Sequence, residues 1–196
     1  MSAKELEERV MIDKKQFLKI EKYILDNYKE AKILHIKNRY LDDANSNIRG
    51  NHNVLRIRSF KNNPSREFTY KIKGDDGDIE YTTILSQYWF YQITRFSRIP
   101  EGETKEALLK NGIDISSLRT LVELFTRRIE VELDDHILVL DSNMYNEIVD
   151  FDLEIESKIS TEHAKETILK YCEMFSLEYK KDYIVKSRRA FLSLKK

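Results

Sequence analysis

The chain has 196 residues but only one cysteine, two prolines and five glycines. With Cys172 as the single thiol, intramolecular disulfides and cysteine-rich zinc sites are excluded, and a reducing compartment is expected. So few glycines and prolines leave no room for a glycine-rich phosphate loop, a flexible linker or a low-complexity tract. No stretch approaches the roughly 18 apolar residues of a membrane-spanning helix. Residues 1–10 lack the apolar segment of a secretory leader, so we expect a cytoplasmic protein.

An excess of charge of either sign is also missing, because 34 basic residues balance 34 acidic ones. This balance excludes a uniformly basic surface of the kind that binds duplex nucleic acid. Charged residues nevertheless make up 35% of the chain, above the roughly 25% of ordinary globular domains. The hydrophobic fraction of 41% argues against disorder, and the length predicts one domain over residues 1–196. The fold must therefore place more charged side chains than an ordinary domain of this size has.

Alternation of apolar and charged residues predicts most of the strands. Leu55 and Ile57, for example, alternate with Arg56 and Arg58, which is the period of a strand with one buried face. About eight strands are predicted: Lys4–Ile12, Ala31–Leu41, Val54–Phe60, Glu67–Lys73, Ile79–Leu85, Leu124–Leu133, His136–Asp141 and Glu147–Glu156, with a last extended segment at Tyr183–Leu194. Turn-like segments such as 42–50 and 74–77 lie between them, and tight turns favour antiparallel pairing.

Apolar residues at helical spacing predict helices between these strands. The first follows Asp13, which forms a capping box with Gln16, and its apolar stripe contains Phe17, Ile20 and Ile24. Further helices are predicted at Ser86–Arg98, with Trp89, Phe90, Ile93 and Phe96 facing a core, at Thr104–Lys110, closed by Asn111 and Gly112, and at about Thr161–Phe175. Antiparallel strands with interspersed helices indicate the α+β class.

Several strand faces carry charge of a single sign. The faces are Arg56 with Arg58, Lys71 with Lys73, and Asp150, Asp152, Glu154 and Glu156 in a row. The ordinary interpretation is a face in solvent, although like charges two residues apart gain nothing there. If the helices cover the apolar faces, the sheet can instead close with its charges inward, and an eight-stranded barrel has room for one small ligand. Because buried charges need partners, the natural occupants are a polyanion on the basic residues and a divalent metal on the carboxylates.

Short charged motifs follow one another along nearly the whole chain: Glu-Leu-Glu-Glu-Arg at 5–9, Asn-Arg-Tyr-Leu-Asp at 38–42, Leu-Arg-Ile-Arg at 55–58, Thr-Tyr-Lys at 69–71, Thr-Arg-Arg at 126–128 and Asp-Phe-Asp-Leu-Glu-Ile-Glu at 150–156. Their order resembles the CYTH superfamily, the triphosphate tunnel metalloenzymes. Residues 5–9, Glu-Leu-Glu-Glu-Arg, resemble its opening Glu-x-Glu-x-Lys motif, with Arg9 in place of the lysine. The later matches are 38–42 (Tyr-Phe-Asp segment), 55–58 (Leu-Arg-x-Arg), 69–71 (Thr-x-Lys), Glu80, 126–128 (Thr-x-Arg), 139–141 (Leu-Asp), 150–156 (Glu-x-Glu, with Asp152 where Glu is more usual), and the closing Lys186 and Arg189.

The resemblance implies an eight-stranded antiparallel β-barrel, a tunnel with a charged lumen and helices packed outside. It is closest to the short, single-domain bacterial branch, which is adenylate cyclase- or thiamine triphosphatase-like. The implied function is metal-dependent hydrolysis of a small triphosphate, inorganic triphosphate above all, by in-line attack of water on the terminal phosphorus. A class IV-type adenylate cyclase and a non-catalytic nucleotide or polyphosphate binder are the alternatives. The expected partner is the small-molecule substrate, without nucleic acid or membrane, for a monomer or homodimer.

The resemblance also implies residue roles. Catalytic roles fall to Glu5, Glu7, Arg9 and Lys71; phosphate binding to Arg56, Arg58, Lys71, Lys73, Arg128, Lys186 and Arg189; and Mg²⁺ or Mn²⁺ binding to Glu5, Glu7, Asp152, Glu154 and Glu156. For Lys73, as for Glu130, Glu132 and Asp150, an ion pair across the sheet is the favoured alternative. Strand parity predicts a shared lumen for Glu5, Arg56, Lys71, Arg128 and Glu154, and an outward, helix-covered position for Leu6, Leu55, Tyr70, Ile129 and Leu153.

Overall fold

A computed structural model describes residues 2–74, 78–180 and 184–195, without the side chains of residues 2–5 and 195. The described strands are β1 (Ser2–Glu5), β2 (Glu7–Ile12), β3 (Lys32–Asp42), β4 (Val54–Phe60), β5 (Asn63–Ile72), β6 (Asp78–Leu85), β7 (Arg119–Glu132), β8 (His136–Tyr145) and β9 (Ile148–Ser157). The helices are α1 (Lys14–Asn27), α2 (Asn47–Gly50), α3 (Gln87–Phe96), α4 (Glu103–Lys110), α5 (Thr161–Phe175) and α6 (Lys186–Leu192), with 3₁₀ turns at Ile115–Ser117 and Ser193–Lys195.

The strands form one sheet in the order β1-β6-β5-β4-β3-β7-β8-β9-β2. Every strand pair with a defined register is antiparallel, as predicted. The predicted first strand is divided at Leu6, so that β1 pairs with β6 while β2 pairs with β9. This division accounts for nine strands where eight were predicted.

The chain forms two compact units. Unit 1 contains Met1–Glu5, Ile36–Leu124 and Ala190–Lys196, and unit 2 contains Leu6–His35 and Phe125–Arg189. In both units the apolar sides of the strands are buried against helices, because each strand alternates apolar and polar residues. The predicted arrangement of strand and helix faces is therefore confirmed within each unit.

In unit 1, helices α3 and α4 pack against β5 and β6. Their residues Ile93 and Leu108 join a buried cluster with Leu55 and Tyr70, both of which were predicted to lie under helices. Helix α4 ends as predicted, since Gly112 takes a positive φ of 70° that glycine adopts without strain. The prediction for Phe96 is wrong: its side chain is 53% exposed, because it lies in the last turn of α3 beyond the packed face.

In unit 2, helices α1 and α5 cover the apolar side of the sheet. The predicted capping box is present, since the Asp13 carboxylate accepts from the backbone N–H of Gln16 and the Gln16 side chain accepts from that of Asp13. Apolar residues of α1 and α5 lie in one buried cluster with Ile129 and Leu153, which confirms the outward positions predicted for these two residues. Burial in this cluster raises the pKa of the Cys172 thiol.

The C-terminal segment was predicted wrongly. Residues 186–192 form a helix rather than an extended strand, while Tyr183 lies outside the described residues. In a helix, residues three positions apart share a face, so Lys186 and Arg189 lie on the same side of α6. The turn-like segment 42–50 contains the single helical turn α2, and residues 75–77 of the predicted hairpin turn lie outside the description.

Within the described part of the chain, every helix falls short of the length and apolar content that a membrane crossing requires.

Candidate active site

The charged residues of unit 2 lie on the sheet face opposite α1 and α5. Strand register places them side by side: Arg128 of β7 is opposite Asp141 of β8, and Glu154 of β9 is opposite Arg9 of β2. Glu7 is opposite Glu156 in the same β2–β9 pair. Antiparallel neighbours of this kind bring side chains within contact distance. We call this set the Glu154 cluster: Glu7, Arg9, Arg128, Asp141, Glu154, Glu156 and Lys186.

Glu154 is the carboxylate on which the basic residues converge. It is buried to 1% exposure and accepts hydrogen bonds from Arg9 Nη1 at 3.3 Å, Arg128 Nη2 at 3.3 Å and Lys186 Nζ at 2.9 Å. Arg9 also forms an ion pair with Glu7. Three residues predicted to bind phosphate or to act in catalysis thus surround one of the predicted metal ligands.

Arg128 is held in one orientation by Asp141. Its Nε and Nη2 donate to the two Asp141 carboxylate oxygens at 2.9 Å each, and its Nη1 reaches Glu156 at 3.3 Å. Such a two-pronged guanidinium–carboxylate pair is short and directional. Asp141 is fully buried and also accepts from Lys186 Nζ at 2.5 Å. It therefore fixes two of the basic side chains at once.

The electrostatic balance of the Glu154 cluster keeps its buried groups charged. Burial alone would raise the pKa of Glu154, but the charges of Arg9, Lys186 and Arg128 outweigh it and hold that pKa well below its usual range. In the same way, Arg128 and Lys186 lower the pKa of Asp141 against the effect of its burial. The pKa of Arg128 is raised well above its ordinary value, since its carboxylate partners outweigh the cost of burial.

Three carboxylates of this cluster have the chemistry of a divalent-metal site. One oxygen from each of Glu7, Glu154 and Glu156 lies within 4.8 Å of the others. Carboxylate oxygens are the hard ligands that Mg²⁺ and Mn²⁺ prefer, so this donor set fits the divalent metal that the resemblance implies. The side chain of Glu5, the fifth predicted metal ligand, lies outside the described residues.

Asp152 and Arg189 lie in a separate group. Arg189 donates to both oxygens of Asp150, at 2.7 and 2.9 Å, and to Asp152 at 2.7 Å. Asp152 also accepts from Asn143 Nδ2 at 2.7 Å. The structure thus places the predicted metal ligand Asp152 in contact with the predicted phosphate ligand Arg189. It also gives Asp150 an ion pair, but with Arg189 of helix α6 and not across the sheet as the favoured alternative had it. Burial and the bond to Asp150 raise the pKa of Tyr145 to about 12.

The predicted residues of unit 1 form a second charged row, on the face of β4–β6 opposite α3 and α4. Lys71 Nζ lies 3.4 Å from Asp78 and 3.8 Å from Glu80, and Arg56 Nη2 lies 3.5 Å from Glu80. Arg58 donates to Asn38 at 3.3 Å. These contacts are longer than the 2.9 Å bonds of Arg128 to Asp141.

Two further observations concern this row. The Nε of Arg56 is buried and has no hydrogen-bond partner within the described part of the chain. Lys73 is different, because its side chain is 64% exposed and it pairs with Asp78 at 3.6 Å. Lys73 therefore has the ion pair that was its favoured alternative.

The sequence reasoning did not assign a role to Asp141, the residue that orients Arg128. Asp141 belongs to the 139–141 motif, but alternation gives no signal for it, because Ile137 and Val139 have the same parity in β8. Asn143 and Tyr145 also share this parity, and they lie in the strand because β8 extends to Tyr145 and does not end at Asp141 as predicted. A prediction of the full strand would have placed their polar groups beside Asp141.

Comparison with known proteins agrees with this architecture. The CYTH domain family model matches residues 3–184. A Bacillus subtilis (strain 168) protein described as "Putative triphosphatase YjbK" is 28% identical over 173 residues, covering 88% of this chain and 87% of that protein. A crystal structure of a "putative adenylate cyclase" from Bacillus halodurans has 26% identity and a TM-score of 0.86, covering 97% of this chain and 98% of that one.

The "Putative adenylyl cyclase HpAC1" from Hippeastrum has a TM-score of 0.76 at 16% identity, covering 95% of this chain and 96% of that one, and shows a likeness of fold. The predicted α+β antiparallel architecture and the resemblance drawn from the motifs are both confirmed. Because the family model spans almost the whole sequence, this protein belongs to the CYTH family.

Proposed function

We propose that the protein is a metal-dependent triphosphatase that hydrolyses a small triphosphate, with inorganic triphosphate as the first candidate. The observation that carries the proposal is the Glu154 cluster, in which three basic side chains and a set of metal-type carboxylates meet on one sheet face. A triphosphate carries several negative charges and many acceptor oxygens, so it can accept hydrogen bonds from the basic side chains and share a divalent metal with the carboxylates.

The charge count of the cluster favours a substrate that comes with a cation. Three basic groups, Arg9, Arg128 and Lys186, are set against four carboxylates, two of which are almost inaccessible. A triphosphate alone would add negative charge to a site in which carboxylates already outnumber basic groups by one. Glu7, Glu154 and Glu156 would hold a divalent metal, whose charge would compensate these carboxylates, and Arg9 and Lys186 could then donate to phosphate oxygens.

Arg128 differs from Arg9 and Lys186 in its proposed role. Arg128 is oriented in advance by Asp141, so its guanidinium is positioned before substrate arrives, which lowers the cost of ordering it later. Arg9 and Lys186 contact Glu154 through single bonds and can donate to the phosphate chain as the charge on its oxygens develops. When bound, the metal supplies neutralisation of phosphate oxygens and a lower pKa for a coordinated water.

The unpartnered Nε of Arg56 supports phosphate binding in unit 1. A buried donor without an acceptor is unfavourable by roughly 1–3 kcal/mol, and more for a charged group. A phosphate oxygen is the kind of acceptor that would satisfy it. Arg58 of β4 and Lys71 of β5 lie on the same face of the sheet and belong to the same proposed phosphate-binding set.

The comparisons favour a hydrolase but keep a second function in view. The Bacillus subtilis relative is named as a triphosphatase, whereas the Bacillus halodurans neighbour is named as an adenylate cyclase. Both reactions need a bound triphosphate and a divalent metal, so the sheet face alone serves either. They differ in their products.

Product analysis separates these functions. The protein is incubated with tripolyphosphate, ATP or thiamine triphosphate in Mg²⁺ or Mn²⁺, and phosphate, pyrophosphate and cyclic AMP are measured. We expect phosphate and pyrophosphate from tripolyphosphate. Pyrophosphate with cyclic AMP from ATP would identify a cyclase, and binding without any product would identify a non-catalytic binder; either result overturns the proposal.

Neighbouring glutamates of β2 provide a matched pair of variants. Glu7 lies on the charged face, whereas Glu8 has the opposite parity and accepts from Tyr179 at 3.1 Å. Glu7→Gln should lower tripolyphosphate turnover at least tenfold, since even outer partners of metal ligands have effects of about 10–100-fold. Glu8→Gln should leave the rate within threefold of the parent. Equal rates for the two variants would remove Glu7 from the site.

A further inference from the structure

A pocket of about 440 Å³ lies in unit 1 on the helix side of the sheet, away from the charged row. Its lining includes Trp89 of α3, the buried Ile99 of the following loop and Lys105 of α4. Because α3 and α4 pack on the apolar side of β5 and β6, this pocket uses none of the residues assigned to triphosphate. Its volume falls in the range typical of small-molecule sites.

The charge of the pocket is positive. Its lining includes Arg98 and Lys105, and no acidic residue is found among the described residues that line it. Arg98 has no acidic partner within the described ranges. Lys105 pairs with Glu101, but that carboxylate is 87% exposed and lies outside the lining, so the ion pair is a weak surface one. Arg98 instead contacts a ring, that of Phe96, with 5.9 Å from its Cζ to the centroid, so among the described residues neither cation is held by a buried carboxylate that an anion would have to displace.

The apolar part of the lining combines Ile99 and Ile115 with two aromatic side chains. The rings of Tyr88 and Trp89 lie 5.3 Å apart at 73°, and the Tyr88 side chain is 61% exposed. Exposed aromatic faces of this kind stack well against planar heteroaromatic rings. A flat ring placed here would cover Tyr88 while an attached anion reached the two cations.

We propose that this pocket binds a nucleoside monophosphate, with the base against Trp89 and Tyr88 and the phosphate held by Arg98 and Lys105. Two cations match a phosphate dianion better than a single carboxylate, and the arginine fork suits bidentate phosphate binding. We expect the base and the phosphate both to be required, because each would contact a different part of the lining. The proposal is independent of the proposed triphosphatase activity.

Trp89 is the only tryptophan of the chain, so its fluorescence reports on this pocket. The full-length protein is titrated with AMP, with adenosine and inorganic phosphate as matched fragments. We expect a saturable fluorescence change with AMP and at least tenfold weaker binding of each fragment. Absence of a saturable change with AMP, or equal affinity for a fragment, would overturn the proposal.

A matched pair of arginine variants tests whether Arg98 binds the phosphate. Arg98→Gln should weaken AMP binding at least tenfold, whereas Arg95→Gln, an exposed position of α3 outside the lining, should change it less than twofold. Thermal melts of both variants establish that they are folded. Saturating tripolyphosphate should leave AMP binding unchanged; competition between them, or equal effects of the two variants, would contradict the assignment.

Discussion

Arg56 and Arg128 both belong to the proposed phosphate-binding set, yet their replacement by glutamine should affect the stability of the ligand-free protein very differently. Arg56 makes one long contact, 3.5 Å to Glu80, and its Nε has no partner among the described residues. Its loss should leave the free energy of unfolding of the empty protein unchanged or slightly increased, because the lost contact to Glu80 is offset by removal of a buried donor that is unfavourable by roughly 1–3 kcal/mol.

Arg128 is embedded in the fold, and its loss should be felt without any ligand. It donates to Asp141 through two bonds and to Glu154 and Glu156 through one each. Removal leaves buried carboxylates without their partner, which typically destabilises by about 3–5 kcal/mol. In a chain of this length each kcal/mol moves the melting temperature by roughly 2–4 °C, so Arg128→Gln should melt roughly 6–20 °C lower.

Arg56 should contribute much more to tripolyphosphate binding than to the stability of the ligand-free protein. Losing one charged partner from a desolvated site weakens binding by about 2–5 kcal/mol, and about 1.4 kcal/mol is a factor of ten. Arg56→Gln should therefore bind tripolyphosphate at least tenfold more weakly, measured by calorimetry and by the ligand-induced shift in melting temperature. If Arg56→Gln melts far below the parent without ligand but keeps the parent's ligand shift, Arg56 is a structural ion-pair partner and the reasoning fails.

Three further predictions concern stability. Burial alone would raise the pKa of Asp43, but hydrogen bonds from Asn47 lower it, so the carboxylate stabilises the fold fully above its unfolded pKa of about 4 and less as the pH falls further. In urea titrations, Asp43→Asn should therefore be less stable than the parent at pH 7, and this difference should shrink in acid. A difference that does not depend on pH would contradict the assignment. Ser160 caps α5 at the His163 N–H, so Ser160→Ala should lose about 1 kcal/mol in chemical denaturation while Ser160→Asp retains stability; equal losses would exclude the cap. Leu140→Ala should lose about 2–5 kcal/mol by the same measurement, whereas Met144→Ala, 51% exposed on the same strand face, should lose little; similar losses would contradict the packing.

Local pattern was sufficient for most of the fold. The strands of unit 2 follow from alternation, as in Leu153 and Ile155 against Glu154, and α1 follows from its capping box and apolar stripe. These signals lie within a few residues of one another, so they can be read before any long-range contact is known. The motif order then pointed to the charged side of the strands.

What the sequence could not supply depends on register and on short elements. The pairing of Arg128 with Asp141 follows from the β7–β8 register, which no local pattern encodes. Helix α6 has only seven residues, too few for a helical stripe to be distinguished from strand alternation, and its identity is decided by Lys186 and Arg189 reaching acidic partners. The grouping of Asp152 with Arg189 depends on that same helix.

The central claim is that the Glu154 cluster binds a metal-complexed triphosphate, and the most direct test is to locate the metal. Crystals of the protein with tripolyphosphate and Mn²⁺ are measured at the manganese absorption edge. The account predicts an anomalous peak within coordination distance, about 2.0–2.2 Å, of carboxylate oxygens of Glu7, Glu154 and Glu156, with phosphate oxygens contacting Arg128. A manganese peak away from these carboxylates, or a triphosphate that does not touch this sheet face, would contradict it.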